Sequence, residues 1–370
     1  MTVSEQMIDQ NACQSKMIDH YADACIQGGL IPPLLQVLRA PHVAQAGATT
    51  VPLARTAAWA LSNCCRGDDL PSMPMLLPVY STLAALVQPT TDTEVLTDAC
   101  WALSFLTDGP HERIQALIDT NVIRRLVDLL SGERPPALSP ALRAVANLVT
   151  GDDTQTQTVI NCGALLQLQK LLANSHAHPP NIVREACWAL SNIAAGTKGQ
   201  VDAVIASGAI QQVVRLLVDG DLNTKREAVW TVANASSSSD VHQCAHLVQL
   251  GCLRPLSQLL SGMDTRIVLV ALEGIRNILV AGQRLGAGKA GACTGNAYVY
   301  ELESVGGLDE LEALQNHSSQ ETCDKAVEIL TTFFEVLEEE NTAPQHLDAG
   351  GNYAFPAAPV SGPHVSFASL

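Results

Sequence analysis

The stretch Glu185-Ala186-Cys187-Trp188-Ala189-Leu190-Ser191-Asn192-Ile193-Ala194-Ala195-Gly196 decides how this chain folds. Ala, Leu and Glu favour a helix, and Gly196 is a natural C-terminal stop. Ala186, Leu190 and Ile193 fall on one side at helical spacing. Trp188 and Asn192, four residues apart, share a different face. A helix built this way packs with its apolar side and presents the Trp-Asn pair.

The same pattern returns along the chain. Ala58-Trp59-Ala60-Leu61-Ser62-Asn63, Ala99-Cys100-Trp101-Ala102-Leu103-Ser104-Phe105 and Ala228-Val229-Trp230-Thr231-Val232-Ala233-Asn234 are copies. Ala141-Leu142-Arg143-Ala144-Val145-Ala146-Asn147 puts Arg in the Trp slot, and Ala271-Leu272-Glu273-Gly274-Ile275-Arg276-Asn277 puts Glu there. The slots at 59, 101, 143, 188, 230 and 273 are 42, 42, 45, 42 and 43 residues apart. A period in this range points to an armadillo or HEAT solenoid, an all-α fold.

By length, 370 residues would be two or three domains, but a solenoid lengthens by adding repeats to one continuous core. Aromatic residues make up 4% of the chain, which fits a core of Leu, Val, Ile and Ala. A net charge of −16 disfavours nucleic acid and favours basic partners. The eleven Cys form no C-x-x-C pair and no Cys/His group at zinc spacing. They read as reduced structural thiols of a cytosolic or nuclear protein. No signal peptide and no apolar run long enough for a bilayer is evident, and no cofactor or metal is expected.

Residues 1–16 read as a flexible N-terminus. A short helix is expected over 17–27, a second over 30–38 with Pro32 and Pro33 in its first turn, and a loop over 40–52. The first Trp-slot helix is expected over 54–65. Further helices are expected over 112–119, 122–130, 156–161, 164–172, 200–206, 210–217, 241–250 and 253–260. Gly163, Gly208 and Gly251 stand at recurring bends between two helices. Residues 283–297 read as a Gly/Ala-rich inserted loop. Gly288-Lys289 lacks the upstream Gly spacing and the Ser or Thr of a phosphate loop. A last repeat covers 308–314 and 322–338. An acidic end and a disordered tail follow over 338–370.

At these residues the chain resembles the importin-α (karyopherin-α) family, over roughly 17–337, as about seven repeats with the first incomplete. The resemblance rests on Thr97-Asp98-Ala99-Cys100-Trp101-Ala102-Leu103-Ser104, Asp108-Gly109-Pro110, Pro140-Ala141-Leu142-Arg143-Ala144-Val145, Thr150-Gly151-Asp152-Asp153 and Glu185-Ala186-Cys187-Trp188, in that order. It implies a right-handed superhelical solenoid of armadillo repeats whose third helices line a concave groove. An extended basic nuclear localisation signal would lie in that groove. Asn side chains would grip its backbone, since Asn donates and accepts at once. Lys or Arg stems would lie between Trp faces, worth roughly 0.5–2 kcal/mol each.

The resemblance implies a whole minor site at Arg143, Asn147, Val149, Thr150, Asp153, Thr156, Glu185, Trp188, Asn192, Glu227, Trp230 and Asn234. Of the major site it leaves a remnant, Trp59, Asn63, Asp98 and Trp101, with Phe105 where the family usually has Tyr. Glu185 and Glu227, each three residues before a Trp, are expected to take a charged head. Read singly, a Trp is usually core, a helical Asn is usually solvated, and Arg143 simply salt-bridges a neighbour. Four Trp at a fixed period, three with Asn four residues on, argue for the sharper reading.

The family begins with a basic importin-β-binding segment and further repeats, and neither precedes Met17. Importin-β binding is therefore not expected, and the chain is either a piece of a longer protein or a short paralogue. The acidic C-terminal region is expected to meet the family's export receptor. The leading functional expectation is an import adaptor shuttling between cytoplasm and nucleus. The alternative is an armadillo scaffold that has lost importin-β-dependent transport. No nucleophile–base pair, metal spacing or phosphate loop points to an enzyme.

Overall fold

A computed structural model of the chain describes residues 25–334, except 42, 46–47, 68–69, 238–239, 263 and 288–294. Residues 1–16, most of the helix expected over 17–27, Gly288-Lys289 and the stretch 338–370 lie outside the described residues. The described residues up to Phe333 form one compact unit. Among them the structure is helical, with one isolated bridge between Gln45 and Thr91.

The order is α1 (Ile31–Leu38), α2 (Val51–Cys64), α3 (Met73–Leu86) and α4 (Thr93–Leu106). A unit of two short helices and one longer helix then repeats. It runs through α5 (His111–Ile118), α6 (Ile123–Leu129) and α7 (Pro135–Leu148), then α8 (Asp153–Asn161), α9 (Ala164–Ala173) and α10 (Pro180–Ala194). Next come α11 (Lys198–Ala206), α12 (Ala209–Asp219) and α13 (Leu222–Ser237), and then α14 (Val241–Gln249), α15 (Leu253–Leu260) and α16 (Thr265–Ala287). The series closes with α17 (Ala297–Ser304), α18 (Gly307–Leu314) and α19 (Gln320–Phe333). The slot-bearing helices α2, α4, α7, α10, α13 and α16 stack each on the next, and α19 follows α16.

Local sequence explains the repeat. The bend between the two short helices takes a left-handed residue at Gly163, Gly208 and Gly251, with φ of 89°, 74° and 77°. Asn121 fills the same place one repeat earlier with φ 57°, which Asn tolerates better than most side chains. Several helix starts are capped by carboxylates or Thr. Asp152 and Thr197 form capping boxes with Gln155 and Gln200, and Asp92, Asp240 and Asp264 accept from first-turn amides. Ala186, Leu190 and Ile193 are fully buried, as their spacing predicts. Each such Leu or Ile contributes roughly 1.5–3 kcal/mol.

Three buried glutamines tie neighbouring repeats together. Gln155 Nε2 donates to His111 O at 3.1 Å, Gln200 Nε2 to Asp153 O at 2.8 Å, and Gln243 Nε2 to Lys198 O at 3.1 Å. Gln200 Oε1 also accepts from Thr197 N at 2.9 Å. Each link spans one repeat, so the stack has the same joint at successive steps.

Two expectations are corrected. The loop expected over 283–297 is partly helix: α16 continues to Ala287 and α17 begins at Ala297. Gln283, Arg284 and Leu285 are good helix formers, so the helix carries past Gly282. A side chain at Gly282 would collide with Asn296 and Tyr298, and Asn296 Nδ2 donates to Leu279 O at 2.7 Å. The loop expected up to residue 52 ends earlier, because Pro52 sits in the first turn of α2. A single α3 stands between α2 and α4, where later units have two short helices. Its stretch lacks the left-handed Gly or Asn that breaks the others.

Candidate peptide-binding groove

Each slot residue sits in the middle of its helix, off the apolar face. Trp59 and Trp230 are exposed, at 61% and 45%, and Trp101 and Trp188 are half-buried. Large aromatic faces left open on successive stacked helices are costly unless something covers them. Trp101 stacks on Phe105 with ring centres 5.9 Å apart, and the Arg66 guanidinium lies 6.0 Å from the Phe105 ring centre. Sequence reading did not single out Arg66.

The Asn series is not uniform. Asn147 Nδ2 donates to Ser104 O at 2.8 Å, and Asn234 Nδ2 to Ser191 O at 2.9 Å, both on the preceding slot helix. Asn277 Nδ2 reaches Ser236 Oγ at 3.4 Å. Asn63 folds back onto Trp59 O at 2.9 Å. Asn192 Nδ2 is buried and has no hydrogen-bond partner among the described residues. Such a donor is expensive to leave unpaired, by roughly 1–3 kcal/mol. Asn147 and Asn277 are buried, whereas Asn63, Asn192 and Asn234 are half-buried.

Two sets of carboxylates contrast at and around the slots. Asp92, Asp240 and Asp264 cap helices and also pair with a cation of the preceding repeat: Arg55 at 2.8 Å, Lys198 at 2.7 Å and Arg226 at 2.6 Å. Those partners hold their carboxyls below the usual range. Asp98, Glu185 and Glu227 each stand three residues before a Trp, and burial pushes all three the other way. Asp98 is pushed up to about 6 by burial and by Glu94. Asp98 and Glu227 have no ion pair among the described residues. Glu227 feels Arg184 and Arg226 only at longer range. A desolvated carboxylate without a close cation is a receptor for one.

Glu185 differs. It is 6% exposed and ion-paired with Arg143, whose guanidinium also lies 5.7 Å from the centre of the Trp188 ring. The carboxylate expected to take a ligand's charged head thus already holds a guanidinium of the chain itself. Val149, Thr150 and Thr156 meet at the junction of α7 and α8. Thr156 Oγ1 donates to Val149 O at 3.4 Å, and Thr150 Oγ1 to Asn147 O at 2.7 Å. Thr150 and Asp153 are exposed, while Val149 and Thr156 are buried. The nine described cysteines are free thiols; burial pushes Cys100 up to about 12. Among the described residues no group of His, Cys, Asp and Glu could hold a metal ion, and no single helix is long and apolar enough to cross a membrane.

Stacked three-helix units with aromatic slots on one set of helices define an armadillo-repeat solenoid. The armadillo/beta-catenin-like repeat model matches residues 110–150, 152–195, 197–237 and 240–280, and an atypical armadillo repeat matches 296–346. Among solved structures, a designed armadillo repeat protein in complex with the peptide (KR)4 is 31% identical, with TM-score 0.60, covering 69% of this chain and 99% of that one. A computationally designed armadillo repeat protein for modular peptide recognition is 30% identical, with TM-score 0.61, covering 69% and 99%.

Importin subunit alpha-1b of Oryza sativa subsp. japonica is 43% identical over 324 residues, 87% of this chain and 58% of that protein. Importin subunit alpha-3 of Arabidopsis thaliana is 44% identical over 304 residues, 80% and 56%. Importin subunit alpha-8 of Arabidopsis thaliana is 37% identical over 314 residues, 85% and 67%. The chain belongs to the importin-α family. It spans a little over half the length of the first two of these relatives.

Proposed function

We propose that the chain is a nuclear import adaptor that binds Lys/Arg-rich nuclear localisation signals as extended peptides, chiefly between Trp188 and Trp230. The observation that carries this is the register of Asp98 and Glu227, which have no ion pair among the described residues. Each lies three residues before a Trp, and each is raised by burial. A ligand ammonium or guanidinium relieves that desolvation, while its stem lies on the indole. Asn192 and Asn234, both half-buried and on successive slot helices, offer side-chain amides to a peptide backbone. Membership of the importin-α family and the likeness to a designed protein that carries (KR)4 support the same ligand chemistry.

In this reading Glu227 takes the ligand cation, and the Arg143–Glu185 pair with Asn147 walls one end of the site. Val149, Thr150, Asp153 and Thr156 form the shelf beside that wall. Trp59, Asn63, Asp98 and Trp101 make a second, shorter site. The cargo is a protein bearing a basic signal, the export receptor is a further partner, and the adaptor shuttles between cytoplasm and nucleus. The test is fluorescence anisotropy with a labelled Lys/Arg-rich peptide against wild type and Trp188→Ala/Trp230→Ala, at low and moderate salt. Saturable, salt-weakened binding that falls about tenfold or more in the variant is expected. Binding indifferent to both Trp residues would leave an armadillo scaffold without signal recognition.

A further inference from the structure

Beyond Trp230 the stack continues but its surface chemistry changes. The slot of α16 holds Glu273, and Lys325 of α19 donates to its carboxylate at 2.7 Å. Three residues further along both helices, Arg276 Nε donates to Glu328 at 2.8 Å. Both pairs span 52 residues, so the two helices face each other in one register. The signs alternate: the carboxylate is on α16 in the first pair and on α19 in the second. Two cations and two carboxylates cancel locally, whereas Glu227 at the preceding step keeps no ion pair among the described residues.

A second feature coincides with this change. Asn277, in the same turn of α16, is 7% exposed and points back to Ser236 Oγ. The other slot with a charged residue, Arg143, behaves alike: its side chain is paired with Glu185, and Asn147 is 4% exposed and bonded to Ser104 O. At the Trp slots 59, 188 and 230, the Asn four residues on is half-buried. Slot and Asn therefore open together or close together.

We infer that the crossed pairs Glu273–Lys325 and Arg276–Glu328 end the reading groove after Trp230, so that Glu273 and Lys325 fix how many basic side chains the groove accepts. Lys325 fills from within the place a ligand cation would take. Glu273 offers no aromatic face for a stem to lie on. This rests on the groove being a basic-peptide site. Lys325 is invisible to the sequence period because the insertion before α17 puts it 52 residues beyond Glu273, whereas the equivalent pair Arg143–Glu185 is 42 residues apart.

The experiment compares three labelled peptides: a short Lys/Arg-rich peptide, and two versions lengthened by Lys-Ala-Lys at the amino or the carboxyl end. They are titrated at moderate salt into wild type, Lys325→Ala, and Glu273→Trp/Lys325→Ala, with melting temperatures recorded for each protein. Wild type should bind the short and lengthened peptides alike. The double variant should bind one lengthened peptide about threefold to tenfold tighter than the short one. Lys325→Ala alone, with Glu273 uncovered, should show a smaller gain for the same peptide. A purely structural role would change melting but create no length-dependent gain. If wild type binds the short peptide and the folded variants show no such gain, the end-stop is wrong. It is also wrong if wild type itself prefers that lengthened peptide. If wild type binds none of the three, the basic-peptide reading is what fails.

Discussion

The guanidinium of Arg143 lies 5.7 Å from the centre of the Trp188 ring, and the same side chain is ion-paired with Glu185. The chain thus builds the interaction it offers to ligands once from its own residues. Glu185 is 6% exposed, and Arg143 is its ion-pair partner, with Arg184 adding a weaker field.

Removing the partner gives the first prediction. Arg143→Ala leaves a buried carboxylate with only the weaker field of Arg184 and should destabilise the protein by about 2 kcal/mol near neutral pH, less than for a fully buried pair because Arg143 is 42% exposed. Burial already raises Glu185, and losing Arg143 raises it further. A raised carboxyl favours folding at low pH and loses that contribution as pH climbs through its folded value. The deficit against wild type should therefore grow as pH rises, and Arg143→Ala/Glu185→Gln should recover most of it. Melting temperatures across pH decide this.

Asp98 gives a second prediction, because it is pushed up to about 6. A bound cation stabilises its charged form, so peptide binding at this step releases a proton. Affinity should be flat at higher pH and fall as pH drops through about 6, and Asp98→Asn should flatten that fall. The linkage to folding has the opposite sense: ionising Asp98 opposes folding. Asp98→Asn should therefore raise the melting temperature at pH well above 6 and leave it little changed in acid.

Exposure separates reading residues from packing residues. Trp59→Ala, at a side chain 61% exposed, should change stability by less than about 0.5 kcal/mol. Leu190→Ala, at a fully buried position two residues after Trp188, should cost about 2–5 kcal/mol. Denaturant titration of both variants tests the assignment of the two helix faces. Equal losses would contradict it.

The glutamine joints make a further prediction. Gln200 is 1% exposed and satisfies both Asp153 O and Thr197 N. Gln200→Met keeps the volume but leaves Thr197 N without its partner and removes the cross-repeat bond to Asp153 O, at a cost of about 1–3 kcal/mol. Because the joint links neighbouring repeats, thermal unfolding should also broaden, as expected when a solenoid loses nearest-neighbour coupling. An unchanged, equally sharp transition would show that the joint does not couple them.

The slot helices were legible because Ala186, Leu190 and Ile193 mark the buried face directly, and the Trp-to-Trp spacing repeats that mark. The bends at Gly163, Gly208 and Gly251 were legible for the same local reason: a left-handed backbone needs Gly. The extension of α16 to Ala287 was not, since Gly282 reads as a break until Asn296 and Tyr298 are seen packed against it. At the site, residue types and register were readable, including the three-residue offset that also picks out Asp98. The state of each residue was not. The sequence does not say that Glu185 is already paired, that Asn192 lacks a partner, or that Lys325 faces Glu273. Those depend on side chains some 40 to 50 residues apart, held together by the stacking itself.

The glutamine joints carry one last consequence. They lie on α8, α11 and α14, while the variable slots Arg143, Trp188, Trp230 and Glu273 lie on α7, α10, α13 and α16. The glutamine part of the instruction for how repeats stack is thus written on different helices from the slots themselves. A slot residue can therefore change while these joints still hold the neighbouring repeats in step.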